Sequence, residues 1–180
     1  MAATELVVLL ADDGRAIGTA PKATVHHRDT PLHLAFSCYV FDRSWRFLST
    51  RRTWSKPTWP GVLTNSCCGH PSPGELFEAA VRRRLDFELG LTPLALEVVL
   101  RDFRYRAVMP DGVVENEVCP VFVALVDRDP IPNPAEVAEA RWSTWDDFVV
   151  TARAEPASPW CLQQIDALEG LGGHPADWTQ

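Results

Sequence analysis

The sequence has no long hydrophobic run and no CxxC pair. Its apolar opening, LVVLLA from Leu6 to Ala11, follows an acid and runs into Asp12 and Asp13, so it is too short and wrongly flanked for a membrane span or a cleavable leader. A cytoplasmic protein with no membrane partner is therefore expected. The five cysteines are an odd number in a chain with no secretory signal, so no disulfide framework is expected and the thiols should be reduced. Adjacent Cys67 and Cys68 would bridge only with strain and are read as thiols. A surplus of positive charge is also missing: 17 Lys and Arg stand against 24 Asp and Glu, a net charge of −7. That argues against nucleic acid as a principal partner, because duplex binding needs phosphate-neutralising cations. Internal repeats and low-complexity tracts are absent, and 180 residues suffice for one domain with a substantial core.

What is present reads first as strands. Residues 6–18 and 32–52 look like hairpins, which opens the chain as a β-meander. Residues 53–66 show no period and suggest a long functional loop. Phe77, Val81, Leu85 and Leu89 recur every fourth residue and predict a helix over 75–89, with Glu75 and Glu78 in its first turn and Gly90 as its C-terminal cap. The runs LALEVVLRDFRYRAVM and VVENEVCPVFVALVD flank Pro110-Asp111-Gly112 and predict a third hairpin. Residues 140–150 read as a strand entering a helix capped near Ser143 or Thr144, and 158–171 as a last amphipathic helix. This order predicts an α+β sandwich or layered fold.

Histidine is scarce, yet His26, His27 and His33 fall close together and His70 follows the cysteine pair. Scarcity with clustering points to a metal site, although a lone histidine is more often structural. In VENEVCP (114–120), Glu115, Glu117 and Cys119 share one strand face, with the carboxylates about 6–7 Å apart at the backbone. Carboxylates paired on a central strand need a cation or a proton. Histidines with carboxylates suit Mn²⁺, Zn²⁺ or Fe²⁺, whereas carboxylates with phosphate suit Mg²⁺. Two basic knots, Arg51, Arg52 and Lys56 and then Arg82, Arg83 and Arg84, read equally as an anion site or a solvated face.

Gly69, Glu75, Arg83, Leu85, Glu88, Gly90 and Leu91 stand at the spacing of the Nudix box. Arg84 and Phe87 occupy positions where Nudix hydrolases carry metal-binding glutamates, so the degenerate box suggests a retained fold and diphosphate binding without hydrolysis. KATVHHRDTPLHLAFS, TRRTWSKPTWPGVLTNSCCGHP, RRRLDFELG, DFRYRA, VENEVCPVF and SPW make a closer match. In this order and at these spacings they resemble type I isopentenyl diphosphate isomerases over about residues 5–165. The resemblance implies an α+β fold: a Nudix-type α/β/α sandwich of mixed sheet with a degenerate Nudix helix and additional C-terminal helices. It implies one domain over 1–180, with about 1–30 an N-terminal extension and metal and diphosphate arm, 31–165 the core and 166–180 a tail.

The same resemblance implies the site. His26, His33, His70, Glu115 and Glu117 match a divalent-metal set holding Mn²⁺ or Zn²⁺, with His27 a bystander. Lys22, Arg52, Lys56 and Arg84 match residues that grip the diphosphate; Glu88 and the backbone carbonyl of Cys68 match those that hold Mg²⁺ arriving with it. Cys68 and Glu117 match the catalytic pair, Tyr105 the residue that hydrogen-bonds Glu117, and Trp160 the aromatic face for a carbocation; taken alone, Trp160 reads as core. The implied reaction converts isopentenyl diphosphate to dimethylallyl diphosphate in isoprenoid precursor synthesis, by a monomer acting on a small isoprenyl diphosphate. The alternatives are a Nudix hydrolase of a diphosphate and a non-catalytic diphosphate-binding protein. Leu63, where many relatives have an aromatic, and the GTAPKA approach to Lys22 depart from the pattern.

Overall fold

The computed structural model describes residues 5–179. In chain order the elements are β1 (Leu6–Leu10), β2 (Ala16–Pro21), α1 (Lys22–Val25), β3 (His33–Leu34), β4 (Phe36–Asp42), β5 (Phe47–Arg52), β6 (Leu63–Thr64) and β7 (Cys67–Gly69). Then come α2 (Phe77–Leu89), β8 (Ala95–Leu100), β9 (Arg104–Val108), β10 (Val114–Val118), β11 (Val121–Val126), β12 (Val137–Ser143), α3 (Trp145–Ala154) and α4 (Pro159–Glu169), with a 3₁₀ turn at Pro175–Thr179.

Strand β4 sets the architecture. Its residues 36–41 are all buried, because the strand is covered on both faces, and all of them but Ser37 are hydrophobic. Phe36, Cys38 and Val40 pack with Val81, Leu85 and Leu89 of α2. Tyr39 and Phe41 point the other way, to Trp145 and Phe148 of α3 and Trp160 and Ile165 of α4. The result is helix, sheet, helices, with the sheet ordered β12-β5-β4-β11-β8 and mixed, since β11 runs parallel to β4 while β5 runs antiparallel. Short β7 pairs with β4, which sets Cys68 opposite Ser37.

A second sheet, β2-β1-β3-β10-β9, carries His33, Tyr105, Glu115 and Glu117. Parallel pairing sets Glu117 opposite His33, and antiparallel pairing sets Glu117 opposite Tyr105. Strand register thus lays His33, Glu117 and Tyr105 in one row.

The two long β-runs differ from their sequence reading, since each is broken and its halves lie in different sheets. β8 and β11 belong to the first sheet, β9 and β10 to the second, so the hairpin at Pro110-Asp111-Gly112 joins only β9 to β10. Pro120 supplies the break in the second run: it has no N–H for a ladder, and its carbonyl accepts from Ser37 N–H at 3.1 Å. Glu75 also lies outside the helix it was expected to open, where it accepts two 2.8 Å bonds from Arg83. The cap at Gly90 is as expected, with φ of 63° and its N–H donating to Asp86. Thr144, not Ser143, caps α3 by accepting from Asp147 N–H. Among the described residues no helix is long and apolar enough to cross a membrane.

Candidate active site

A cleft of about 790 Å³ opens between the second sheet, the loop after β5 and the start of α4. Beside it three histidines converge on one carboxylate. His70 Nε2 lies 3.0 Å from Glu117 Oε1, His33 Nε2 at 3.3 Å and His26 Nε2 at 3.7 Å. One donor atom from each of these four residues lies within 4.8 Å of the others. His33 Nδ1 bonds the Pro31 carbonyl at 2.9 Å, which leaves its Nε2 to face the cluster. Among the described residues, the Nε2 atoms of His26 and His33 are buried without a hydrogen-bond partner.

Electrostatics point the same way. Burial pushes the His70 pKa down to about 4, so its ring is neutral at ordinary pH. Burial also opposes a charge on Glu117, but the three imidazoles outweigh it and hold the carboxyl well below its usual range. On His33 burial again opposes charge and Glu117 again wins, raising the pKa. A buried carboxylate ringed by imidazoles draws a proton where a divalent cation would satisfy all four groups at once, so the donor set fits a divalent metal ion.

Glu115 stands beside this cluster without joining it. Tyr105 Oη lies 2.9 Å from Glu115 Oε2 and 2.7 Å from Glu117 Oε2. A phenol has one proton, so it can donate to only one of two carboxylates. Burial, then the charge of Glu117, pushes the Glu115 pKa up. Glu115 is therefore the carboxyl suited to carry a proton toward Tyr105, leaving the phenol to donate to Glu117.

Cys68 faces the cleft from β7. Burial pushes its pKa up to about 11, so it stays a thiol at ordinary pH. Its Sγ donates to Asn65 Oδ1 at 3.1 Å. Asn65 cannot turn freely, because its amide donates to the Cys38 and Cys67 carbonyls while its oxygen also accepts from Thr64 and Trp160. The Trp160 indole forms part of the cleft lining and holds the Arg52 guanidinium 5.5 Å from its ring centroid. That face already accommodates a cation.

The same cleft collects the basic residues. Lys22, Arg52, Lys56 and Arg84 all line the cleft. Lys22 pairs with Glu5 at 2.6 Å, and Lys56 contacts Glu136 directly. Arg84 Nε donates to Glu88 Oε1 at 2.9 Å, and its Nη2 lies 3.4 Å from Glu136 Oε2. Arg84 passes over Gly69, where a Cβ would come within 2.9 Å of both Arg84 Cγ and Phe36 Cζ. Glu88 lies in a small recess shared with Cys68, Arg52, Lys56 and Glu136.

Comparison with known proteins agrees with this arrangement. Residues 31–163 match the family model of the NUDIX domain. The chain is 57% identical over 176 residues to an isopentenyl-diphosphate Delta-isomerase of Saccharopolyspora erythraea, covering 97% of this chain and 91% of that one. It is 61% identical over 170 residues to an isopentenyl-diphosphate Delta-isomerase of Paenarthrobacter aurescens, covering 93% and 92%. The chain belongs to the isopentenyl-diphosphate Delta-isomerase family, within the NUDIX fold. Among solved structures, DR0079 of Deinococcus radiodurans superposes with a TM-score of 0.73 at 19% identity, covering 91% of this chain and 98% of that one. A MutT protein of Methanosarcina mazei gives 0.65 at 16%, covering 79% and 96%. At those identities the likeness concerns fold alone.

For a member of the isomerase family, the expected residues gather well. All but His33 and Glu88 line the one cleft: His33 lies beneath it and Glu88 in the adjoining recess. Sequence reading missed Asn65, Ser37, Glu5 and Glu136, which act on the named residues. Asn65 was at least inside a quoted motif; Glu136, in a proline-bearing connection, carried no signal at all.

Proposed function

We propose that this chain isomerises isopentenyl diphosphate to dimethylallyl diphosphate, with Cys68 and Glu117 as its proton carriers. The observation that carries this reading is that a thiol, a carboxylate, an indole face and four cations line one cleft. An unactivated alkene accepts a proton at its terminal carbon and becomes a tertiary carbocation. A proton then leaves the neighbouring methylene, so one proton enters, one departs, and the double bond moves. Such chemistry needs two acid-base groups and a pocket that excludes water. Tyr105 orients Glu117, and Asn65 orients the Cys68 thiol. Trp160 offers its π-face to the cation, a contact that contributes about 2 kcal/mol when desolvated. Lys22, Arg52, Lys56 and Arg84 hold the diphosphate and so fix the alkene over the two carriers.

A Zn²⁺ or Mn²⁺ ion at His26, His33, His70 and Glu117, with Glu115 at its edge, would supply a fixed positive charge, and Mg²⁺ at Glu88 and the Cys68 carbonyl would offset the diphosphate charge. The same reading takes the chain to be a cytoplasmic monomer whose partner is the small diphosphate, with no nucleic acid or membrane involved. The test is a proton NMR time course in D₂O with isopentenyl diphosphate and Mg²⁺. Dimethylallyl diphosphate carrying solvent deuterium is expected from the wild type and from neither Cys68→Ala nor Glu117→Gln. An unchanged olefin with the wild type, or release of inorganic phosphate, would defeat the reading.

A further inference from the structure

Glu136 belongs to none of the roles above, yet it sits among them. It ends the connection between β11 and β12, and that connection is fastened to α2: Ile131 N–H donates to Leu89 O at 2.7 Å and Asn133 N–H to Glu88 O at 2.8 Å. The Glu136 carbonyl accepts from Thr53 N–H at 3.2 Å, which ties it to the loop carrying Lys56. Its backbone is therefore fixed between the two basic knots, and its carboxylate is what reaches them. One oxygen, Oε2, serves both cations: it contacts Lys56 Nζ directly and lies 3.4 Å from Arg84 Nη2. A phosphoryl oxygen held by these two residues would need the same place.

None of this is a loose surface pairing. The side chain of Glu136 is 17% exposed, that of Lys56 21% and that of Arg84 7%. We infer that Glu136 competes with the diphosphate for Lys56 and Arg84, and thereby makes the cleft select a diphosphate that arrives with a divalent cation. This rests on the reading of the cleft as a diphosphate site. A bare diphosphate must pull the two cations off Glu136 and leave a mostly buried carboxylate without a partner, which is costly. A diphosphate carrying Mg²⁺ brings its own partner for that carboxylate, since Mg²⁺ is held in proteins by one or two carboxylates together with substrate phosphates. Glu88 shares the recess with Glu136 and is likewise paired with Arg84, so both carboxylates stand where such a cation would arrive.

The experiment is titration calorimetry of the full chain with inorganic pyrophosphate, with and without added Mg²⁺, on wild type, Glu136→Gln and Glu136→Asp. Glutamine keeps the size and a hydrogen-bond acceptor while removing the charge. Without Mg²⁺, Glu136→Gln is expected to bind pyrophosphate about tenfold more tightly than wild type, the scale of one buried charge pair. With Mg²⁺ the two should bind alike, so the Mg²⁺ enhancement shrinks by that factor. Glu136→Asp, which keeps the charge on a shorter arm, should fall between them. Weaker Mg²⁺-free binding by Glu136→Gln would make the residue an organiser of the cations and overturn the inference. So would an equal gain with and without Mg²⁺, the mark of background charge only. Failure of the wild type to bind pyrophosphate in either condition would overturn the diphosphate reading itself, and the inference with it.

Discussion

The histidine cluster and the basic residues of the cleft meet their charges in opposite ways. At the histidine cluster, strand register sets His33 opposite Glu117, and His26 and His70 come in from the residues that follow α1 and β7. Among the basic residues, long side chains reach in from different elements, and three of the four already rest on carboxylates: Lys22 on Glu5, Lys56 on Glu136, Arg84 on Glu88. Arg52 rests instead on the carbonyls of Thr58 and Trp59. The first is a converged set of donor atoms, and the second is a set of cations already neutralised by the protein. That difference suits a resident ion at the first and an exchanged ligand at the second. A resident ion gains from donors locked before it arrives, whereas a turning-over diphosphate gains from cations that can be covered again once it leaves.

The comparison breaks most severely at Glu117, which belongs to the histidine cluster and, in the proposed reaction, to the chemistry. Glu117→Gln should lower kcat by about 10²–10⁴-fold, the usual worth of a positioned acid-base group, and should also lower bound metal. Cys68→Ala should cost kcat as much while leaving metal content unchanged. Steady-state rates beside metal analysis separate the two. Full metal occupancy in Glu117→Gln would remove that carboxylate from the ligand set. Next in size is the ion itself. Stripping with a chelator and restoring Zn²⁺ to about a hundred times its Kd should stabilise the chain by about 2.7 kcal/mol, or roughly 5–10 °C in Tm for a protein of this size. His33→Ala should not respond, and a wild type whose melting ignores Zn²⁺ and Mn²⁺ would end the case for a resident ion.

Trp160 lines the same cleft, and there the expected effect is smaller. Trp160→Leu should lower kcat by about thirtyfold, equivalent to about 2 kcal/mol, with KM little changed, whereas Trp160→Phe should keep most of the rate. Equal losses in both would make the indole a packing element whose bond to Asn65 matters more than its face.

What could be read ahead follows the same division. Strand alternation placed Glu115 and Glu117 on one face, and the period of α2 with Gly90 after it was plain, because both follow from local geometry. The breaks at Arg101–Phe103 and at Pro120 were not, since an apolar run looks alike whether it stays in one sheet or crosses to another. The convergence of His26, His33 and His70 was legible as clustering, and its members came from the family resemblance. The carboxylates that cover the basic residues were not legible, because Glu5 and Glu136 lie far from Lys22 and Lys56 in sequence and only the tertiary fold introduces them.

The smallest effect tests whether those covering carboxylates are alike. Lys22 and Glu5 form a 2.6 Å pair, but their side chains are 31% and 63% exposed, so water competes for both partners. Exposed pairs of this kind contribute about 0.2–1 kcal/mol. The charge on Glu5 is favoured by Lys22, yet releasing Lys22 to a diphosphate strands no buried group, since Glu5 simply returns to solvent. Glu5→Gln should therefore change Mg²⁺-free pyrophosphate affinity by less than about threefold in the same calorimetry that reads Glu136. It should leave Tm within about 2 °C. A tenfold gain at Glu5 would mean that any removed negative charge tightens the cleft, and burial would lose its place as the feature that sets Glu136 apart.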